Sequence, residues 1–227
     1  MLLPQIQIKS GKFVMQIDKK FIAIEGPIGV GKTSLAKKLS NTLDYDFFFE
    51  KPFENPFLES FYKEERKNAL QTQLFFLFQR IQQYEGLNQK NLFYKGIVSD
   101  FFYQKDYLFA ELTLPEEEMR LYDQIYKHMT PKNILEPDLV IYLQASPEVL
   151  IDRISERGIN FEKKIDIKYI TKLAELYKEY FFRFDKCPII IVNSDYLDFV
   201  RNEKHYNHLV ENINDVKSMK NFLNGTF

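Results

Sequence analysis

Short apolar runs alternate with longer amphipathic stretches along most of the chain. The runs lie at 21–25, 45–50, 96–100, 138–144 and 188–193, each of strand length. Between them, apolar positions recur at helical spacing. Leu35, Leu39 and Leu43 fall every four residues, and Leu70, Leu74, Phe78 and Ile81 make a longer stripe. Thr113-Leu-Pro-Glu116 has the spacing of a capping box ahead of Met119, Leu121 and Ile125. Ser146-Pro147-Glu148 offers a cap, a proline for the first helical position and an acid for the positive helix end. Gly158 stands where that helix should stop. The alternation predicts an α/β fold, a five-stranded parallel sheet with helices on both faces. Ahead of it, apolar residues alternate over 5–17 on either side of Ser10-Gly11, which predicts a small hairpin. The expected division is a hairpin-like extension over 1–19 and one domain over 20–227.

Composition narrows the function classes. The 227 residues are 28% charged and 45% hydrophobic, which excludes a disordered tail, a collagen-like rod and a disulfide scaffold. Lys and Arg number 31 against 32 Asp and Glu, so the chain lacks the basic excess of a general nucleic-acid binder. Phe and Tyr make up 16% with no Trp, ample for a core and for stacking a planar ligand. Cys187 is the only cysteine; it precedes the apolar run 189–192 and reads as a buried, inert thiol. His205 and His208 have metal-compatible spacing but no third ligand beside them, so a surface pair is expected rather than zinc. Residues 1–10 lack a basic region followed by a long apolar stretch, and no run reaches membrane-spanning length. The expectation is a soluble, cytoplasmic protein with no membrane or nucleic-acid partner.

The strongest chemical signal is Gly26-Pro27-Ile28-Gly29-Val30-Gly31-Lys32-Thr33, a complete G-x-x-x-x-G-K-[ST]. It follows an expected strand and opens an expected helix, the context the motif needs. Glycines let backbone N–H groups wrap phosphate oxygens, and the helix N-terminus adds its positive dipole end. Lys32 should reach the β- and γ-phosphates, and the Thr33 hydroxyl should hold Mg²⁺. With Ser34 these residues form the expected ATP-binding loop. No Asn-Lys-x-Asp segment follows, so a guanine-reading GTPase is not supported. A motor or helicase would normally need a longer chain, which leaves a small phosphotransferase.

The acceptor side begins at the end of the second expected strand, where Phe47-Phe48-Phe49-Glu50-Lys51-Pro52 places a carboxylate beyond a strand terminus. From spacing alone, Glu50 reads equally as a proton acceptor or as an exposed acid. Gln73 and Arg80 are seven apart, on one helical face among aromatics. Gln73 can offer a base edge both donor and acceptor, or simply sit at a helix surface.

This ordered set resembles the deoxyribonucleoside kinases, bacterial deoxyadenosine/deoxyguanosine kinases in particular, over roughly residues 21–200. The resemblance implies a P-loop kinase fold with a lid segment. It implies Glu50 as the base acting on the nucleoside 5′-hydroxyl, Tyr62 and Glu162 at the sugar 3′-hydroxyl, and Gln73 at the base. Asp100 matches an acid that assists Mg²⁺. Phe101 stands where the family carries an arginine, so its charge must come from elsewhere; Lys105 and Arg80 are the candidates. Asp106 falls near a position that influences base choice in relatives. For Lys105 and Asp106 a solvated helix face is an equal reading.

The lid corresponds to 151–164, with Arg157, then Arg153, closing over the phosphates, and Lys163 and Lys164 sharing the charge. The implied reaction is ATP-dependent phosphorylation of a deoxynucleoside, a purine by the resemblance, with Mg²⁺, in a homodimer serving nucleotide salvage. A thymidylate-type monophosphate kinase and a non-catalytic ATP-sensing regulator are the alternatives. The first would need a basic clamp where Glu50 stands, and intact Lys32, Thr33 and Glu50 argue against the second.

Overall fold

The computed structural model describes residues 6–9, 12–15, 17–64, 67–90 and 95–223. Strands β1 (Ile6–Lys9) and β2 (Lys12–Met15) pair antiparallel, with Ile6 opposite Met15. The expected turn at Ser10-Gly11 lies outside the described residues. There follow β3 (Phe21–Glu25), α1 (Lys32–Leu43), β4 (Asp46–Phe48), α2 (Leu58–Lys63), α3 (Ala69–Lys90) and β5 (Ile97–Ser99). The remainder is α4 (Lys105–Thr113), α5 (Glu116–Met129), β6 (Leu139–Gln144), α6 (Pro147–Arg157), α7 (Ile167–Arg183), β7 (Ile189–Asn193), α8 (Glu203–Asn214) and β8 (Lys220–Leu223).

The main sheet has the order β4-β5-β3-β6-β7-β8, and every pairing in it is parallel. All of β3 and nearly all of β6 and β7 is buried, as helix-covered parallel strands require. The sheet has six strands, one more than the pattern predicts. The addition, β8, is an edge strand reading Lys-Asn-Phe-Leu, in which only Leu223 is buried and Phe222 faces solvent. Four residues with one inward side chain make no apolar run.

Two local expectations are also corrected. The inward face of α3 carries Gln73, Leu77, Arg80, Ile81, Tyr84 and Leu87, whereas Phe78 is exposed and Leu70 and Leu74 are only partly covered. Polar residues therefore occupy much of the buried stripe, which a search for apolar periodicity overlooks. Thr113 ends α4 instead of capping α5, whose N-cap is Pro115. Its hydroxyl donates to Phe109 O instead. Gly158 does close α6, in the left-handed region at φ 73°. Among the described residues, no helix is long and apolar enough to cross a membrane.

Candidate active site

The carboxyl ends of β3, β4 and β5 bring three short segments together: the P-loop, Glu50 and Asp100. Gly26 leaves β3 at φ 149°, and a Cβ there would stand 2.4 Å from Leu143 O. Only glycine lets the loop start so close to the end of β6. Gly31 caps α1 at φ 102°, and a Cβ placed on it would meet nothing within 4 Å, leaving open space above the first turn. Lys32 Nζ donates to two carbonyls of its own loop, Gly26 O at 2.8 Å and Pro27 O at 3.0 Å. Burial, reinforced by Lys105, pushes the Lys32 ammonium down to about 8 against the pull of Glu25, Glu50 and Asp100. Thr33 Oγ1 donates to Asp100 Oδ2 at 2.5 Å.

Glu50 is the centre of a charged cluster facing the P-loop across the site. One carboxylate oxygen pairs with Arg80 and the other with Lys105 Nζ at 2.8 Å. Burial would raise its pKa, but Lys105 and then Arg80 outweigh burial and hold the carboxyl down to about 2. Arg80 continues to Asp106, so both of its Nη atoms are engaged. Lys105 and Asp106 are 4% and 1% exposed, so neither lies on a solvated helix face. Phe101 is fully buried against Phe48 and Tyr84. Arg80 from α3 and Lys105 from the start of α4 supply the cations beside Glu50.

Farther along the same wall, Gln73 Nε2 donates to Thr113 Oγ1 at 3.1 Å. Tyr62 stacks on Phe161 with ring centroids 6.1 Å apart. Burial, with Tyr169 and Glu162 nearby, raises the Tyr62 phenol well above its ordinary value, so it stays protonated. Arg157 Nη2 lies 2.5 Å from Glu162 Oε2, and Arg153 Nη2 donates to Ser194 O at 2.7 Å.

A single cavity of about 970 Å³ joins these groups, ample for two small ligands. Ile28, Gly29, Val30, Gly31, Lys32, Thr33 and Ser34 line it at the P-loop end, with Arg153 and Arg157. Glu50, Tyr62, Gln73, Arg80, Asp100, Lys105 and Glu162 line the rest. Of the residues expected at the site, Gly26, Pro27 and Asp106 lie behind the wall, and Lys163 and Lys164 are exposed outside it.

Sequence reasoning missed three contributors: Phe109, which with Phe76 walls the Gln73 end of the cavity, the segment from Ser194 to Arg201 after β7, which walls the P-loop end, and a buried acid. The rule that drew attention to Glu50, ligands beyond strand carboxyl ends, would have flagged Ser194 too. The third is Glu25, fully buried beneath the P-loop. It accepts from Gly26 N at 3.1 Å, Phe102 N at 3.0 Å and Tyr177 Oη at 3.1 Å, and burial raises its pKa. A buried acid at a strand end has no sequence signature of its own.

Residues 22–218 match the deoxynucleoside kinase family. The chain is 33% identical over 202 residues to a deoxyguanosine kinase of Bacillus subtilis, covering 86% of this chain and 97% of the relative. It is 30% identical over 207 residues to a deoxyadenosine kinase of Lactobacillus acidophilus, covering 86% and 94% respectively. Among solved structures, the deoxyadenosine kinase of M. mycoides with bound dATP superposes with a TM-score of 0.74 at 28% identity, covering 86% of this chain and 99% of that one.

Proposed function

We propose a substrate and a set of residue roles on one premise: the chain belongs to the deoxynucleoside kinase family and so phosphorylates deoxynucleosides with a nucleoside triphosphate as donor. The proposed reaction is transfer of the ATP γ-phosphoryl group to the 5′-hydroxyl of a purine deoxynucleoside. The observation that carries the residue roles is the placement of Glu50. Clamped by Arg80 and Lys105, it shares one cavity with Lys32 on one side and Gln73 on the other. The names of the relatives, for deoxyguanosine and deoxyadenosine, support the purine.

In this reading the donor phosphates settle over the loop amides at the N-terminus of α1. Lys32 exchanges the Gly26 and Pro27 carbonyls for phosphate oxygens. Glu50, ionised at neutral pH, accepts the hydrogen bond of the 5′-hydroxyl and finally its proton. Phosphoryl transfer through a loose transition state asks more for positioning and charge balance than for a strong base. A carboxylate held at low pKa is therefore adequate. Tyr62 and Glu162 meet the sugar 3′-hydroxyl, and Gln73 meets the base between Phe76 and Phe109. Arg157, with Arg153, turns toward the phosphates, where a cation gains most as charge develops.

Thr33 and Asp100 would hold Mg²⁺. Both present hard oxygens, and Mg²⁺ keeps several waters and takes substrate phosphates as its other ligands. When bound, the ion would neutralise charge on the phosphate oxygens. Residues 1–19 are read as an extension of the kinase domain at 20–227, a boundary supported by the family match beginning at residue 22. The working form is taken as a homodimer, as the resemblance implies.

The test is a phosphate-transfer assay with ATP and each of the four deoxynucleosides, for wild type and Lys32→Ala. Deoxyguanosine and deoxyadenosine should give the highest kcat/KM, and Lys32→Ala should abolish transfer while the protein stays folded. Faster turnover of either pyrimidine would end the purine assignment. Turnover by Lys32→Ala near the wild-type rate would end the P-loop assignment.

A further inference from the structure

Thr113 is 3% exposed at the last turn of α4, and its hydroxyl stands between two partners. It donates to Phe109 O at 2.6 Å, and Gln73 Nε2 lies on its other side at 3.1 Å. A carbonyl cannot donate, so the single hydroxyl proton goes to Phe109 and a lone pair faces Gln73. Only the NH₂ end of the Gln73 amide can satisfy that lone pair. The flipped amide would set two oxygens against each other unless the hydroxyl gave up its bond to Phe109 O. An amide orientation, ordinarily a free choice, is here dictated by the neighbouring hydroxyl.

Gln73 is itself 2% exposed and lines the cavity, and its side chain makes no other hydrogen bond among the described residues. What it can turn toward a ligand is therefore Oε1 beside the second amide proton. From this we infer that Thr113 is a positioning residue for nucleoside recognition. By holding the Nε2 end of Gln73, it fixes the order in which acceptor and donor meet the base. The inference rests on the reading that Gln73 contacts the base, and it adds a residue 40 positions away in sequence that touches no substrate. The i−4 hydroxyl-to-carbonyl bond gives Thr113 its aim, because it occupies the hydroxyl proton and turns a lone pair to Gln73.

Thr113→Val keeps the shape and removes the acceptor. Gln73 then has a buried N–H without a partner and an amide free to turn. The expected result is roughly a ten- to hundredfold fall in kcat/KM for the best nucleoside, carried by KM. The ATP KM and kcat should stay within about twofold, because the P-loop and Glu50 are untouched. Thr113→Ala, which removes the same acceptor without adding a methyl group, should behave alike, and Thr113→Ser should restore wild-type KM.

The deciding measurement is the double-mutant cycle with Gln73→Leu. If Thr113 acts through Gln73, Thr113→Val adds nothing beyond about twofold in the Gln73→Leu background. An equal loss in both backgrounds, failure of Ser to rescue, or an unchanged KM in both the Val and Ala variants overturns the inference and leaves the base-recognition reading standing. If Gln73→Leu alone costs nothing on any deoxynucleoside, the base-recognition reading is the one that fails, and this inference goes with it.

Discussion

Glu50 is held to Asp100 through its main chain: Glu50 N donates to Asp100 Oδ1 at 2.8 Å, while Asp100 Oδ2 accepts from Thr33 at 2.5 Å. One carboxylate thus ties the Glu50 segment to the P-loop, and movement of either half is felt by the other. Burial raises the Asp100 pKa, while the Thr33 and Glu50 bonds work to keep it ionised. For a reaction that depends on bringing two ligands into line, a shared anchor beneath both is the natural source of alignment.

Replacing Glu50 with Gln keeps the size and removes the proposed proton acceptor. A fall in kcat of about 10²–10⁴ is expected, with nucleoside binding retained. The neutral side chain also leaves Arg80 and Lys105 facing each other, so kcat is to be measured well below the thermal midpoint. A kcat within about threefold of wild type across the pH range would remove Glu50 from the role of base.

The depressed pKa of Lys32 makes ATP binding pH-dependent in a defined direction. In the ligand-free protein Lys32 loses its proton as the pH rises through about 8, whereas phosphate oxygens favour the charged form. Binding is therefore strongest below that value, weakens above it, and takes up a proton from solvent there. Calorimetric titration of ATP at pH 9 in two buffers of different ionisation enthalpy should show this uptake. A buffer-independent heat and an affinity constant from pH 7 to 9 would contradict it.

Arg80 lies between two buried acids, so Arg80→Met should strand Asp106 and halve the neutralisation of Glu50. Breaking a buried pair by removing one partner costs about 3–5 kcal/mol. Urea denaturation should register a loss of that size. Adding Asp106→Asn should recover a substantial part of it, because the stranded charge is then gone. If the double variant is no more stable than the single one, the Arg80–Asp106 pair contributes little.

Gly26→Ala asks a residue with a side chain to hold φ 149° with its Cβ 2.4 Å from a backbone oxygen of β6. Strain of about 1–3 kcal/mol should displace the start of the loop. The ATP KM should rise by roughly tenfold with the nucleoside KM little changed. An ATP KM equal to wild type would mean that the loop tolerates the shift.

What the sequence determined by itself was local and contiguous. The P-loop is legible because all its parts lie within eight consecutive residues between a strand and a helix. Strands β3, β6 and β7 are legible because a strand covered on both faces must be apolar throughout. Tertiary structure decided whatever depends on partners distant in the chain. Lys105 reads equally as a surface residue until folding places it 2.8 Å from Glu50, 55 positions away. Arg80 and Gln73 occupy the inward face of α3, which the apolar stripe misassigned, because Asp106, Glu50 and Thr113 satisfy them there. Hydrophobic periodicity reports which faces leave water cheaply. Where a buried face is polar, its burial depends on hydrogen bonds and counter-charges from other segments, and only the assembled fold supplies them.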